Sequence, residues 1–340
     1  MKKEVIQKSH YKEIDFLYAL GAVLTILGHS HPNDWCTFPG EWIEFIYLFH
    51  MPLFFAIAGF LLASSKGIEQ VGYGRWLMEK GQRLLTPYFV LSLLALVPKY
   101  ILEHGSFEGL TFKYLIFVFF VPRQNVWGHF WFLPVLFLMY VVFGVYRNCE
   151  KYVLKFARKM AYAGIIAFAL FIHFEEVNIE WFGISDICNF FIYFILGYAI
   201  YGIYPDMKNN LMPPLYALFA VVLFSLSLFV WTTAKENKFL NFVISILMLL
   251  CCCAISMLLS NKKPIAVDFI SRNVFSFYIY SWPAQAVAER LCSHIGMPWL
   301  IITLVMFVSG VACPTVIILI YRKCTFLHCK FADLVLGMRR

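Results

Sequence analysis

The chain has 340 residues, of which 61% are hydrophobic and only 14% are charged, and its mean hydropathy is +0.73. A soluble domain carries about 25% charged residues and cannot hide this much apolar surface. Disordered proteins, collagens, coiled coils and soluble Rossmann enzymes are therefore excluded. The net charge of +8 does not indicate nucleic acid as a partner, because no solvated basic segment with interleaved aromatic residues is present. The composition predicts a polytopic membrane protein.

Apolar runs that are long enough to cross a bilayer, about 20 residues each, occur ten times along the chain. They lie at residues 14–31, 42–64, 84–102, 130–147, 160–174, 186–204, 213–233, 240–260, 273–292 and 299–321. Another apolar run, 114–121, is too short to cross and is followed by Pro122, which predicts a re-entrant or interfacial segment. We expect an all-α fold of about ten transmembrane helices, with residues 1–340 forming one integral-membrane domain.

The distribution of charge predicts the topology. When the N-terminus is placed in the cytoplasm, most of the 28 lysines and arginines fall on cytoplasmic connections, as the positive-inside rule requires. This arrangement places both termini in the cytoplasm. The ten cysteines have no spacing suited to a metal, and we expect them to be reduced and structural and the protein to hold no metal.

Three histidines lie inside the predicted spans, where an ionisable side chain is costly and by default indicates a functional site. His29 ends the first span, His50 lies a third of the way through the second, and His129 opens the fourth. All three fall in the outer half of the predicted topology, so they could share one cavity. Structural alternatives remain open: His129 could lie at the membrane interface, and His50 could bond to the backbone carbonyl that Pro52 frees.

Basic residues flank the start of the third span at its inner end, namely Arg75, Lys80 and Arg83. Ordinary positive-inside anchoring is one interpretation of them. Arg83 directly abuts the apolar run, however, and could bind a phosphate in bidentate fashion at the cytoplasmic mouth of a cavity. Asp15, at the inner end of the first span, could pair with such a cation or be solvated. No carboxylate pair lies deep in the spans, which disfavours a proton-coupled transporter.

Five sets of segments, taken in order along the chain, resemble the motifs of one protein family. They are Ile14-Asp15-Phe16-Leu17 with Leu27-Gly28-His29-Ser30, Phe49-His50-Met51-Pro52-Leu53-Phe54-Phe55 with Ala58-Gly59-Phe60-Leu61, Arg83-Leu84-Leu85-Thr86-Pro87-Tyr88, His129-Phe130-Trp131-Phe132-Leu133-Pro134-Val135-Leu136-Phe137, and, more weakly, Asn273-Val274-Phe275-Ser276-Phe277-Tyr278-Ile279-Tyr280 with Trp282-Pro283. Together with ten spans, they resemble the acyltransferase-3 family of bacterial integral-membrane O-acyltransferases, most closely its fucose-4-O-acetylase-like branch. The chain departs from the family at Tyr18, where many members have an arginine that helps to hold the acyl donor, and it lacks a histidine that many members have near the ninth span.

The resemblance implies transfer of an acyl group, usually acetyl from acetyl-CoA, to a hydroxyl of an extracytoplasmic or lipid-linked carbohydrate. No bound cofactor is implied, since acetyl-CoA is a substrate. The phosphates of coenzyme A would suit the basic inner mouth formed by Arg75, Lys80 and Arg83. Asp15 is about 14 residues from His29, roughly 21 Å along a helix. We therefore expect Asp15 to have a structural or donor-binding role.

A sugar hydroxyl is a poor nucleophile at neutral pH, so the reaction needs a general base, for which histidine is the usual residue. We expect His29 to be that base. His50 and Trp131 are expected to shape the cavity, where either could polarise the thioester carbonyl, and His129 to contribute to substrate binding. Two alternatives stay open: a transporter or flippase that moves a glycolipid through the same cavity without chemistry, and a succinyl or other acyl donor in place of acetyl.

Overall fold

The computed structural model describes residues 11–32, 38–104, 110–210, 212–234, 237–262, 264–324 and 328–338. The regular structure in these ranges is helical and they contain no strand, which confirms the all-α prediction. The helices are α1 (Lys12–Gly28), α2 (Phe38–Ser64), α3 (Gly67–Val71), α4 (Tyr73–His104), α5 (Phe112–Phe120), α6 (Phe132–Cys149), α7 (Lys155–Phe174), α8 (Ile184–Asn210), α9 (Pro213–Ala234), α10 (Lys238–Leu259), α11 (Ile265–Arg272), α12 (Val274–His294), α13 (Trp299–Lys323) and α14 (Lys330–Val335).

Eight helices in the described ranges are long and apolar enough to cross a membrane: α2, α4, α6, α7, α8, α9, α10 and α13. The other two predicted spans correspond to α1, which has 17 residues, and to α12, which is more polar because it carries Gln285, Glu289 and Arg290. The count of ten transmembrane helices therefore stays a prediction. Helix α5 has 9 residues and, at about 1.5 Å per residue, is too short to cross, as expected.

Helix α4 begins at Tyr73, well before residue 84, where the third span was expected to start. The intervening residues include Leu77, Met78, Glu79 and Lys80, which are strong helix formers, so the helix extends beyond the apolar run. Arg75, Lys80 and Arg83, which were expected to flank the start of the span, therefore lie within the helix itself. The angular position of each basic side chain around α4 therefore decides whether it faces the interior of the bundle.

Helix α2 lies at the centre of the bundle and packs against α1, α8 and α10. Two glycines bring α2 and α8 into backbone contact: a Cβ atom on Gly59 would lie 1.9 Å from the carbonyl oxygen of Phe194, and one on Gly197 would lie 1.9 Å from that of Ala56. Small residues at helix interfaces permit this close approach in membrane proteins. The contact fixes α2, and with it the residues that α2 contributes to the site.

Helix α1 packs against the same region of α2 through two further glycines. A Cβ atom on Gly21 would lie 2.9 Å from Cζ of Phe54, and one on Gly28 would lie 3.0 Å from Cε1 of Tyr47. The aromatic rings of α2 therefore rest directly on the backbone of α1. This packing brings the end of α1 beside the middle of α2.

Ion pairs join helix ends that the charge pattern assigned to one side of the membrane. Nη2 of Arg147, at the end of α6, lies 2.9 Å from Oε1 of Glu69 in α3. Nζ of Lys208, near the end of α8, lies 3.0 Å from Oε1 of Glu13 at the start of α1. Helix ends that the predicted topology places on the cytoplasmic side are thus in contact with one another.

Candidate active site

A cavity of about 430 Å³ lies between α1, α2, α12 and the 3-10 turn Gly128–Trp131 that precedes α6. All three histidines line it: His29 from the end of α1, His50 from α2 and His129 from the turn. We call it the histidine cavity. Residues far apart in the sequence are brought together there, because α2 packs against α1 and the turn before α6 packs against α12. The remaining lining residues are mostly aromatic or apolar.

His29 is held by Tyr47. The Tyr47 hydroxyl donates a hydrogen bond to the backbone carbonyl oxygen of Gly28 at 2.9 Å, and its oxygen lies 3.4 Å from Nδ1 of His29. A phenol has a single proton, and here the closer carbonyl, which can only accept, takes it. The Tyr47 oxygen is then left to accept from Nδ1–H of His29. This tautomer leaves the lone pair on Nε2, the atom that a general base needs.

His50 is 4% exposed, and its Nδ1 atom lies 3.0 Å from the backbone carbonyl oxygen of Ile46. A carbonyl only accepts, so Nδ1 carries the proton and Nε2 is unprotonated. The carbonyl that Pro52 frees is that of Leu48, and it accepts from the Ser245 hydroxyl of α10 at 2.6 Å. His50 is therefore not needed for that structural role, which was the main alternative from the sequence.

His129 lies in the cavity among aromatic rings. Its ring centroid is 5.4 Å from that of Tyr278 and 5.3 Å from that of Trp282, both on α12. The Tyr278 hydroxyl donates to the backbone carbonyl of His129, which ties the turn to α12. Both ring nitrogens of His129 are buried and make no hydrogen bond to the residues that the structure describes. His129 therefore lines the cavity through a ring that is packed among aromatic side chains.

Trp131 also lines the histidine cavity, and a half-buried ion pair that the sequence analysis missed packs against it. The guanidinium of Arg123 lies 4.1 Å from the centroid of the Trp131 ring. Its Nε and Nη2 atoms lie 3.1 and 2.6 Å from the carboxylate oxygens of Asp186, whose side chain is 8% exposed. In the sequence, Arg123 directly follows Pro122 and Asp186 begins a predicted span. Neither position indicated that the two side chains form a pair.

A second cavity, of about 130 Å³, is lined by Lys80 and Arg83 of α4; we call it the cationic cavity. Nζ of Lys80 lies 4.8 Å from the centroid of the Tyr140 ring, and the guanidinium of Arg83 lies 5.8 Å from that of Phe275. The two cavities are adjacent, because they share five lining residues: Thr25, Met51, Phe54, Val274 and Tyr278. The basic residues therefore line one of two neighbouring cavities and the histidines line the other.

Two of the expected binding residues lie elsewhere. The side chain of Arg75 is 74% exposed and its Nε atom lies 3.7 Å from Oε1 of Glu79. Five residues along a helix correspond to a rotation of about 140°, so Arg75 and Lys80 project in different directions. Asp15 lines neither cavity, whereas Tyr18, one turn further along α1, lines the cationic cavity. The position at which the family usually has arginine thus faces the cationic cavity.

Comparisons with known proteins agree with this architecture. A family model described as an acyltransferase domain matches residues 11–319. The nodulation protein NolL of Sinorhizobium fredii (strain NBRC 101917 / NGR234) is 28% identical over 151 residues, which cover 41% of this chain and 38% of that relative. No solved structure matches the chain. Since the family model covers most of the residues and the helices are those of a membrane protein, the chain belongs to the acyltransferase-3 family of integral-membrane proteins.

Proposed function

We propose that the protein is a membrane O-acyltransferase. It transfers an acetyl or another short acyl group from a coenzyme A thioester to a hydroxyl of a cell-surface or lipid-linked carbohydrate, in a bacterial inner membrane. One observation carries the proposal: in a member of an acyltransferase family, a cavity with three histidines adjoins a cavity lined by two cations. A transferase that joins substrates from two sides of a membrane needs two such neighbouring sites.

The cationic cavity suits the acyl donor. Coenzyme A carries phosphates, which bind to ammonium and guanidinium groups such as those of Lys80 and Arg83. Its pantetheine arm is long and uncharged, and the lining that the two cavities share is mainly apolar, with side chains such as Met51, Phe54 and Val274. Phosphates held at Lys80 and Arg83 would therefore direct the thioester towards the histidines.

The histidine cavity suits a carbohydrate acceptor. Binding cavities for small molecules are typically apolar and aromatic, with a few polar groups that fix the orientation of the ligand. Trp131, Tyr278 and Trp282 supply aromatic surface for the C–H faces of a sugar ring. Polar groups such as the His129 imidazole can bind hydroxyls at its edge. This combination supports a sugar as the acceptor.

The proposed reaction uses His29 as the general base. Its Nε2 atom removes the proton from the acceptor hydroxyl as the hydroxyl oxygen attacks the thioester carbonyl carbon, and a tetrahedral oxyanion forms. When the intermediate collapses, the carbon–sulfur bond breaks, and the His29 imidazolium returns the proton to the departing thiolate. The products are the O-acyl ester and free coenzyme A. Tyr47 keeps Nδ1 protonated throughout.

The test measures free thiol released from acetyl-CoA by the purified protein, reconstituted in lipid nanodiscs, with a panel of glycan acceptors. Positioned general bases contribute about 10²–10⁴-fold, so His29→Gln is expected to lower turnover by that order. His50→Gln is the matched control, because it changes the other cavity imidazole whose Nε2 is unprotonated. A dead His50→Gln with an active His29→Gln would reassign the base to His50. Wild-type protein that releases no coenzyme A would favour a transporter or flippase.

A further inference from the structure

Gln285 of α12 lines the histidine cavity and is 1% exposed. Its amide nitrogen donates two hydrogen bonds to α1 and the residues directly after it: to the carbonyl oxygen of Ile26 at 2.7 Å and to the hydroxyl oxygen of Ser30 at 2.8 Å. The Ser30 hydroxyl itself donates to Ile26, at 2.7 Å. Since a carbonyl oxygen only accepts, the amide nitrogen must face Ile26, and the orientation of the amide is fixed.

The other end of this amide is left without a partner. Oε1 of Gln285 is buried and makes no hydrogen bond within the described part of the chain. A buried acceptor without a donor is costly, and such atoms are rare in native proteins. Both amide hydrogens are used, so Oε1 is the one polar atom of this side chain left without a partner in the described residues. A ligand hydroxyl or a water would supply the donor that it requires.

Helix α13 is shaped around this side chain. A Cβ atom on Gly310 would lie 2.9 Å from Cδ of Gln285 and 2.8 Å from Cγ2 of Ile26. Any larger residue at position 310 would displace the amide from its place between α1 and α13. The absence of a side chain at this position and the two hydrogen bonds of the amide nitrogen together hold one acceptor atom in a defined place.

We propose that Oε1 of Gln285 accepts a hydrogen bond from a second hydroxyl of the acceptor, next to the hydroxyl that reacts. The inference rests on the proposed function. The reacting hydroxyl cannot be this donor, because its proton goes to His29. Gln285 is bonded to Ser30, which directly follows His29, so its amide is anchored beside the base. The acceptor class is therefore a ring with adjacent hydroxyls, and the site selects it over monohydric alcohols.

The experiment compares simple acceptor probes in the nanodisc assay with acetyl-CoA as donor. The probes are cis- and trans-cyclohexane-1,2-diol and cyclohexanol, which differ in the second hydroxyl. For wild-type protein, kcat/KM is expected to be higher with the better of the two diols than with cyclohexanol. Gln285→Met, which keeps the length of the side chain without its acceptor, is expected to lower the ratio of diol to cyclohexanol about tenfold, the effect of leaving one hydroxyl unpaired in a buried site. Gly310→Ala, which displaces the amide, should lower the ratio likewise.

The matched control is Ser309→Ala. The Ser309 hydroxyl bonds to the carbonyl of Met306 at 2.8 Å and lies 3.4 Å from that of Ala284. It is adjacent to Gly310 but does not line the cavity, so its loss should leave the ratio unchanged. Each ratio is measured within one protein, so a smaller folded fraction does not affect it.

The outcomes are distinguishable. A ratio that Gln285→Met leaves within twofold of wild type would make Gln285 a structural contact between helices and overturn the inference alone. A wild-type protein that acetylates cyclohexanol as well as the diols would also overturn it alone. Release of no coenzyme A by wild-type protein with any of these probes or glycans would overturn the proposed function, and the inference with it.

Discussion

Tyr47 allows the most direct test of how the site prepares its base. It lies between two histidines: its ring centroid is 5.9 Å from that of His29 and 5.1 Å from that of His50. Its hydroxyl connects Nδ1 of His29 to the carbonyl of Gly28. We infer that Tyr47 is a positioning residue, which fixes the tautomer and orientation of His29 through its hydroxyl. Tyr47→Phe removes only the hydroxyl and keeps the ring that packs on Gly28.

The size of the effect follows from the contacts that are lost. A neutral hydrogen bond contributes about 0.5–1.5 kcal/mol net, which corresponds to roughly 2- to 13-fold in rate. The contact with Nδ1 is long, at 3.4 Å, so we expect a loss nearer the lower end. The decrease should appear in kcat. The KM for acetyl-CoA should stay constant, because Tyr47 does not line the cationic cavity.

The assay is steady-state release of coenzyme A, with Tyr162→Phe as the matched control. The Tyr162 hydroxyl also donates to a backbone carbonyl, that of Ile195 at 2.8 Å, but Tyr162 lines neither cavity. In a His29→Gln background, Tyr47→Phe should cause no further loss, because residues that act as a unit are not additive. Equal kcat in Tyr47→Phe and Tyr162→Phe, or a full additional loss in the double variant, would refute the positioning role.

Further predictions concern the donor, the packing and the topology. Arg83→Ala should raise the KM for acetyl-CoA about 10- to 100-fold, the effect of losing a charged hydrogen bond to phosphate, whereas the exposed Arg75→Ala should not; equal effects would make Arg83 a membrane anchor. Gly59→Ala should lower Tm strongly in thermal-shift measurements, because its Cβ would overlap a carbonyl of α8, while Gly164→Ala, with open space around it, should not; an unchanged Tm in Gly59→Ala would contradict the backbone contact. A Lys155→Cys variant should react with a membrane-impermeant maleimide only in opened cells, when compared with the unsubstituted chain, and labelling of intact cells would refute the cytoplasmic placement.

The amino-acid sequence by itself determined the class of the protein and the type of its elements. Apolar runs of this length form helices because a bilayer supplies no hydrogen-bond partners to the backbone, and the structure is helical wherever such a run was found. Helix boundaries were less predictable where polar helix formers continue the helix beyond the apolar run, as at the start of α4. His29, His50 and His129 could be singled out because the cost of burying an imidazole in a membrane applies at every position of a span.

Tertiary structure alone decided what each of these residues touches. Ile26 and Gln285 are 259 positions apart, and no local pattern relates two side chains at that separation. Tyr47, Arg123 and Gln285 looked ordinary in the sequence because an aromatic or polar residue gains a role only from the atoms packed against it. The same reason separates Arg75 from Arg83: both are basic residues at one helix end, but the rotation of α4 exposes the first and directs the second into the cationic cavity.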